Sequence, residues 1–99
     1  MQTISAIIRV KAGQEGVMRD ALLAVAAHVA ANEPETIGFF VSQGDEDPCL
    51  FTTHERFADK AAMDRHNNSA AVAEFFAIAK PILDGPVTLV TAREISAKA

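Results

Sequence analysis

Three histidines carry most of the acid–base chemistry that this 99-residue chain could perform. His66 follows Met63 by three residues in a short segment with helical periodicity, so the two side chains share one helical face. That register turns the imidazole inward, where an ordinary pKa near about 6.5 suits it to accept a proton from an acidic hydroxyl. A core histidine that secures the helix end through a hydrogen bond is the alternative, and the spacing alone leaves both open.

Glu55 is the second candidate, because it lies in the alternating run "CLFTTHERF", which is typical of a strand. The alternation places Glu55 on the same face as Phe51 and Phe57. Its carboxylate could orient a histidine, make a structural hydrogen bond, or pair with an arginine such as Arg9 or Arg93. A structural role is the favoured interpretation.

The remaining reactive side chains are weaker candidates. His54 alternates onto the opposite face of the same strand, and His28 lies at the edge of a helical apolar stripe. Cys49 has no basic neighbour that would stabilise a thiolate, and a single cysteine cannot form an internal disulfide. No CxxC or HExxH spacing is present, so we expect no metal site.

Hydrophobic periodicity predicts the elements that must position these residues. Strands are expected at residues 3–11, 37–42, 49–57 and 86–95, the second with Ile37, Phe39 and Val41 on one face. Helices are expected at residues 14–31 and 60–66, and from Asn68 or Ser69 to the "DGP" turn. This order predicts a ferredoxin-like βαββαβ α+β fold with a four-stranded antiparallel sheet, as one domain over residues 1–99.

Several predicted strands carry apolar side chains on both faces. Ile7 alternates with Ile8, and Phe40 lies beside Phe39. The predicted helices can cover only one face of a four-stranded sheet, so the other face needs a cover of its own. We therefore expect a homodimer in which two sheets pack face to face.

The composition excludes several classes of partner. Nine basic against thirteen acidic residues, without a basic cluster, disfavour binding to nucleic acid. No apolar run approaches the roughly 20 residues that cross a membrane, and the amino terminus lacks the features of a signal peptide. We expect a cytoplasmic protein without a membrane partner.

The stretches "VKAGQEG" and "NEPETIGFFVSQGDEDPCLFTTHERFADKAAMDRHNNS", with the closing helix and strand, resemble the antibiotic biosynthesis monooxygenase family. The most specific part is an acidic residue late in the third strand, an aromatic two places on, a short alanine-containing helix and a histidine at its end. These are Glu55, Phe57, Ala61, Ala62 and His66. The resemblance implies a small dimeric α+β-barrel protein.

Characterised monooxygenases of that family oxidise quinol- or anthrone-like substrates with dioxygen and use neither flavin nor metal. An electron-rich anion can reduce dioxygen itself, so the protein need only bind, deprotonate and shield the substrate. The resemblance therefore implies a small aromatic substrate, dioxygen, no cofactor, and His66 as the catalytic proton acceptor. The residues expected to contact the substrate are Glu55, Phe57, Phe39, Phe51, Met63 and Phe75.

The sequence differs from those of haem-degrading relatives at positions that matter for their activity. The chain has no Trp and no Tyr, and Phe57 stands where haem-degrading relatives carry a Trp. The first strand also lacks the Asn of those relatives, which disfavours haem degradation. The alternatives that stay open are an isomerase of the same superfamily and a non-catalytic, dimeric small-molecule-binding module.

Overall fold

The computed structural model describes residues 1–98 and contains one four-stranded sheet in which every strand pairing is antiparallel. The elements follow in the order β1 (Gln2–Arg9), α1 (Glu15–Asn32), β2 (Thr36–Gln43), β3 (Leu50–Phe57), α2 (Lys60–Asn67), α3 (Ala70–Ala79), a 3₁₀ turn (Lys80–Ile82) and β4 (Thr88–Arg93). The strands lie side by side in the order β2-β3-β1-β4. This arrangement confirms the predicted ferredoxin-like α+β fold.

The core lies between the helices and the inner face of the sheet, as the periodicity predicts. The buried apolar residues of α1 are the five expected from its stripe: Met18, Ala21, Leu22, Val25 and Val29. From β1 and the residue that follows it, the buried inner-face residues are Ile4, Ala6, Ile8 and Val10. Burial of these side chains is the main source of stability in a domain of this size.

β2 differs from the simple alternation expected for it. Thr36 pairs with Phe57 and Gly38 pairs with Arg56, so the strand carries a bulge at Ile37. Ile37 consequently has 49% of its surface exposed and does not share a buried face with Phe39. The bulge sets the register of the rest of the strand, in which Phe39 pairs with Glu55.

The two short helices begin at polar caps. The Asp59 carboxylate accepts a hydrogen bond from the Ala62 N–H at 2.8 Å, and Ser69 Oγ accepts one from the Val72 N–H at 3.2 Å. α3 ends earlier than its apolar spacing indicates, because Pro81 follows and the chain tightens into the 3₁₀ turn. The cap on α2 fixes the start of a helix whose last turn contains His66.

The outer face of the sheet exposes large apolar side chains. Ile7, Phe40 and Val90 have 50%, 56% and 54% of their surface exposed. The strand register places all three on this face, with Ser5 and His54 between Phe40 and Val90. The helices lie on the opposite face and leave these side chains uncovered.

The three α-helices within residues 1–98 have 18, 8 and 10 residues. None of them combines the length and the apolar character that crossing a membrane demands.

Candidate functional site

His66 is the centre of the candidate site. Its side chain is only 4% exposed, and its ring packs at a tilt against those of Phe39 and Phe57, with centroid distances of 5.7 and 5.3 Å. Nδ1 lies 2.8 Å from Glu33 Oε1, and Nε2 lies 3.2 Å from Glu55 Oε1. Both ring nitrogens therefore face carboxylates.

Glu55 reaches His66 from the middle of the sheet. It lies on the inner face of β3, where it pairs with Ile4 of β1 and Phe39 of β2 and is buried. Its second oxygen, Oε2, accepts a hydrogen bond from Thr53 Oγ1 at 2.8 Å. The sequence leaves open whether Glu55 contacts a histidine or an arginine, and in the structure its partner is His66.

Glu33 holds the other side of the imidazole. It follows the last residue of α1, and its backbone N–H donates to the Val29 carbonyl, which closes the helix. Its Oε1 accepts a hydrogen bond from Thr36 Oγ1 at 2.8 Å in addition to facing His66. Its Oε2 is buried 3.1 Å from His28 Nε2 but lacks a well-aligned hydrogen bond.

Glu33 is not among the candidate residues that the sequence indicates. The segment "NEPE" indicates only that a helix stops before Pro34. Glu33 and His66 belong to different elements, and no local spacing rule connects such distant residues. An unpaired acidic residue at a helix end, in a chain with an inward-facing histidine, is the only signal available.

Two opposing effects set the charge of the imidazole. Burial is the largest single effect and lowers the pKa of His66, but hydrogen bonds to Glu55 and Glu33, together with the two negative charges, outweigh it. The pKa of His66 is therefore raised above 6.5. A protonated ring can donate to both carboxylates at once, which a neutral ring cannot.

An apolar cavity of ≈ 80 Å³ lies between the sheet and the helices α1 and α3. Its polar groups are Thr53, Glu55, His66 and Asn67, and its apolar walls include Phe39, Phe75 and Leu89. The volume is small beside the roughly 300 Å³ at which ordinary ligand pockets begin. An aromatic ligand must therefore widen the cavity as it enters.

A second, polar cleft of ≈ 240 Å³ also has His66 in its wall. Its other polar residues include His28, Asn32, Glu33, Glu35 and Arg65. Arg65 donates a hydrogen bond to Glu35 Oε1 at 2.8 Å, and more than half of each side chain is exposed. The imidazole therefore contributes to an apolar cavity and to a solvent-facing cleft.

The residues expected to bind substrate fall into two groups, those that line the apolar cavity and those that are packed in the core. Glu55, Phe39 and Phe75 line the apolar cavity with His66. The other three, Phe51, Phe57 and Met63, are buried in the packing of the sheet against the helices and are not among its lining residues. Strand alternation and helical spacing indicate an inward orientation for these residues, but neither pattern tells a packed side chain from a cavity wall.

Two of the weaker candidates, His54 and Cys49, lie away from this site, whereas His28 lines the polar cleft beside Glu33. His54 contacts Ser5 Oγ at 3.1 Å on the outer face of the sheet, where its ring stacks against Phe40. The pKa of Cys49 is raised by burial first and by the charge of Glu15 second, which disfavours a thiolate. Within residues 1–98, no group of three or more His, Cys, Asp or Glu residues is arranged to hold a metal ion.

Comparison with known proteins adds a family and a fold. The sequence profile described as antibiotic biosynthesis monooxygenase matches residues 1–78. None of the curated proteins matches the chain. Many solved structures share its fold, at sequence identities that are informative for the fold alone.

Three of these structures illustrate the likeness. A candidate antibiotic biosynthesis monooxygenase from Nitrosomonas europaea is 16% identical, with a TM-score of 0.88 over 97% of this chain and 100% of that one. Another, from Caulobacter crescentus, is 18% identical, with a TM-score of 0.88 over 96% and 90%. A Pseudomonas aeruginosa protein is 23% identical, with a TM-score of 0.84 over 96% and 94%.

Proposed function

The chain belongs to the antibiotic biosynthesis monooxygenase family, and on that basis we propose that it oxidises a small aromatic quinol with dioxygen and without a cofactor. The observation that carries the proposal is the pair formed by Glu55 and His66 in the wall of an apolar cavity. Once widened, such a cavity can hold an aromatic ring while a polar pair acts on its hydroxyl group.

In the proposed reaction, a quinol and dioxygen give a hydroxyquinone and water. The quinol hydroxyl breaks its O–H bond and gives the proton to the Glu55 carboxylate, which lies beside the protonated His66. The electron-rich anion then reduces dioxygen; one oxygen atom forms a bond to a ring carbon, and the other leaves as water with two hydrogens from the substrate. Removal of water around the anion favours this transfer over return of the proton.

The assignment of the proton acceptor refines the role expected for His66. Both ring nitrogens face carboxylates, so the imidazole has no nitrogen directed only at the cavity. A carboxylate oxygen has two lone pairs, and Glu55 can therefore accept a substrate proton while it retains its contact with His66. We assign proton acceptance to the pair, with Glu55 as the group that touches the hydroxyl.

We also propose that the protein is a homodimer, assembled through the outer face of the sheet. Ile7, Phe40 and Val90 form an uncovered apolar surface there, opposite the helices. A second copy placed sheet against sheet covers these side chains on both chains at once. An interface of the obligate kind buries roughly 2,000 Å² or more in total.

A non-catalytic binding module is the second candidate, and one observation favours it. The contacts of His66 with two carboxylates also describe a buried ionic cluster that simply secures the end of α2. On this reading the cavity binds a small molecule that the protein does not change. An isomerase differs again, because its proton transfer requires no dioxygen.

Measurement of oxygen uptake distinguishes a monooxygenase from the binding module and the isomerase, neither of which consumes dioxygen. We expect the protein to consume dioxygen with 1,4-naphthoquinol above the rate of autoxidation, and to do so equally well in the presence of EDTA. His66→Gln should lower turnover by roughly 10² to 10⁴ fold, the usual worth of positioned acid–base groups. A variant that melts at a lower temperature but keeps full activity per folded molecule would leave the histidine with a structural role only.

A further inference from the structure

The contacts of Glu33 form a continuous series with those of the proposed catalytic pair. From the cavity outward, Thr53 Oγ1 contacts Glu55 Oε2, Glu55 Oε1 contacts His66 Nε2, and His66 Nδ1 contacts Glu33 Oε1. The distances along this series are 2.8, 3.2 and 2.8 Å. Each is short enough for a proton to pass between neighbouring groups.

The series ends where the protein meets solvent. Glu33 Oε2 lies 3.1 Å from His28 Nε2, and the His28 side chain is 31% exposed in the wall of the polar cleft. The contact is close enough for an ion pair, but its geometry leaves Glu33 Oε2 without a hydrogen bond. Oε2 thus has no donor of its own, while Oε1 faces Nδ1 and is the oxygen that can receive the His66 proton.

We propose that Glu33 is a proton-carrying residue of the site, which takes the Nδ1 proton of His66 whenever Glu55 receives a proton on the cavity side. The identity of the first proton donor, a substrate hydroxyl, rests on the proposed function. The relay residues themselves are identified by the contacts of Glu33, His66 and Glu55.

Each proton that leaves one group in this transfer is received by the next group. The proposed transfer starts from a state with a proton on each nitrogen of His66 and none on either carboxylate. The substrate O–H bond breaks and an O–H bond forms on Glu55; the Nδ1–H bond of His66 then breaks and an O–H bond forms on Glu33. His66 is left neutral, with its Nε2 proton still donated to the carbonyl oxygen of the protonated Glu55.

Electrostatics favour this second transfer. Without it, protonated Glu55 would leave a buried imidazolium facing a single carboxylate; with it, all three groups are neutral, which lowers the cost of burial. The proton is not lost, because the reverse transfers return it when the second oxygen atom becomes water. Glu33 therefore stores the substrate proton during the reduction of dioxygen.

Few charged groups surround the His66 imidazole, so the role of Glu33 can be tested by changing one group at a time. Glu55 of β3 and Glu33 at the end of α1 face the imidazole, and His28 of α1 faces Glu33. Arg65 of α2 turns instead to Glu35, an exposed carboxylate in the same cleft that makes no contact with the ring. Glu35→Gln is therefore a matched control for Glu33→Gln.

The experiment follows His66 directly by nitrogen-15 NMR of the ring, in the wild-type protein and in both variants, without any substrate. Glu33→Gln should lower the pKa of His66 and should slow exchange of the Nδ1 proton with water by roughly tenfold or more, as expected when a positioned base is removed. Glu35→Gln should change neither quantity. An unchanged pKa and exchange rate in folded Glu33→Gln would overturn the proposal.

A second measurement distinguishes a Glu33 that takes the proton from a Glu33 that only holds the His66 ring in place. Glu33→Asp retains a group that can take a proton, whereas Glu33→Gln retains the shape but not the proton affinity. We expect exchange of the Nδ1 proton to be restored at least in part by Glu33→Asp; equal exchange in the two folded variants would overturn the relay. Because neither measurement involves oxygen uptake, a wild-type protein that fails to oxidise quinols would refute the proposed function alone.

Discussion

Glu33 and Glu55 contact opposite nitrogens of one imidazole ring, although the first ends a helix and the second lies in the middle of the sheet. The ring between them is buried and holds its proton more tightly than an exposed histidine. This arrangement gives the folded protein a pH dependence that can be measured without knowledge of its substrate.

Stability should fall as the solution becomes alkaline. The pKa of His66 is raised on folding, so the contribution of its protonation is fully present below the ordinary pKa near about 6.5 and is lost as pH rises through the folded value. Urea denaturation at a series of pH values should show this decline in the free energy of unfolding. His66→Gln should show a smaller decline, and an identical pH profile in that variant would contradict the assignment.

Glu55→Gln should remove most of the activity while it preserves the shape of the site. Glutamine cannot accept a proton, so we expect oxygen uptake with 1,4-naphthoquinol to fall by roughly 10² to 10⁴ fold. The pKa of His66 should fall as well, because its bond to the Glu55 carboxylate helps to raise it. Glu46→Gln, in the exposed turn before β3, is the matched control and should alter neither quantity.

Phe39 and Phe40 are adjacent residues with opposite surroundings. Phe39 lines the cavity beside His66, whereas Phe40 projects from the outer face of the sheet. Phe39→Leu should raise KM for an aromatic quinol by roughly three- to tenfold through loss of ring contacts, with a smaller effect on kcat. Phe40→Leu keeps an apolar side chain and should leave KM unchanged; equal effects from the two variants would argue against this cavity as the binding site.

The outer face of the sheet should govern assembly. Light scattering should return about twice the 10.6 kDa mass of the chain for the wild-type protein. Val90→Glu places a charge in the proposed interface and should give a folded monomer. Leu23→Glu alters a comparably exposed apolar residue on α1, away from the sheet, and should remain dimeric; a wild-type monomer at micromolar concentration would refute the proposal.

Residue type and periodicity account for much of the fold and for the inward orientation of Glu55 and His66. Alternation predicts that Glu55 faces inward, helical spacing predicts that His66 does, and residue type places the start of α3 at Asn68 or Ser69, of which Ser69 is the cap. These features depend on the chemistry of neighbouring residues, so the sequence is sufficient to predict them.

The remaining features depend on how distant segments meet. The meeting of Glu33 with His66 depends on how the end of α1 packs beside α2, and the exposure of Ile37 depends on how β2 pairs with β3. Neither relationship leaves a periodic signal in one sequence. The separation of Phe39, a cavity wall, from Phe57, a packed core residue, likewise requires the three-dimensional arrangement.

β4 lies at the edge of the sheet. Within residues 1–98, β4 pairs with β1 alone, all six of its residues are exposed, and its Leu89 forms part of the cavity wall. An edge strand with so few buried contacts separates from its neighbour at a lower free-energy cost than a central strand. The range of ligands admitted should therefore follow the local opening equilibrium of β4, and amide hydrogens at the β1–β4 pairing should exchange with deuterium sooner than those between β1 and β3.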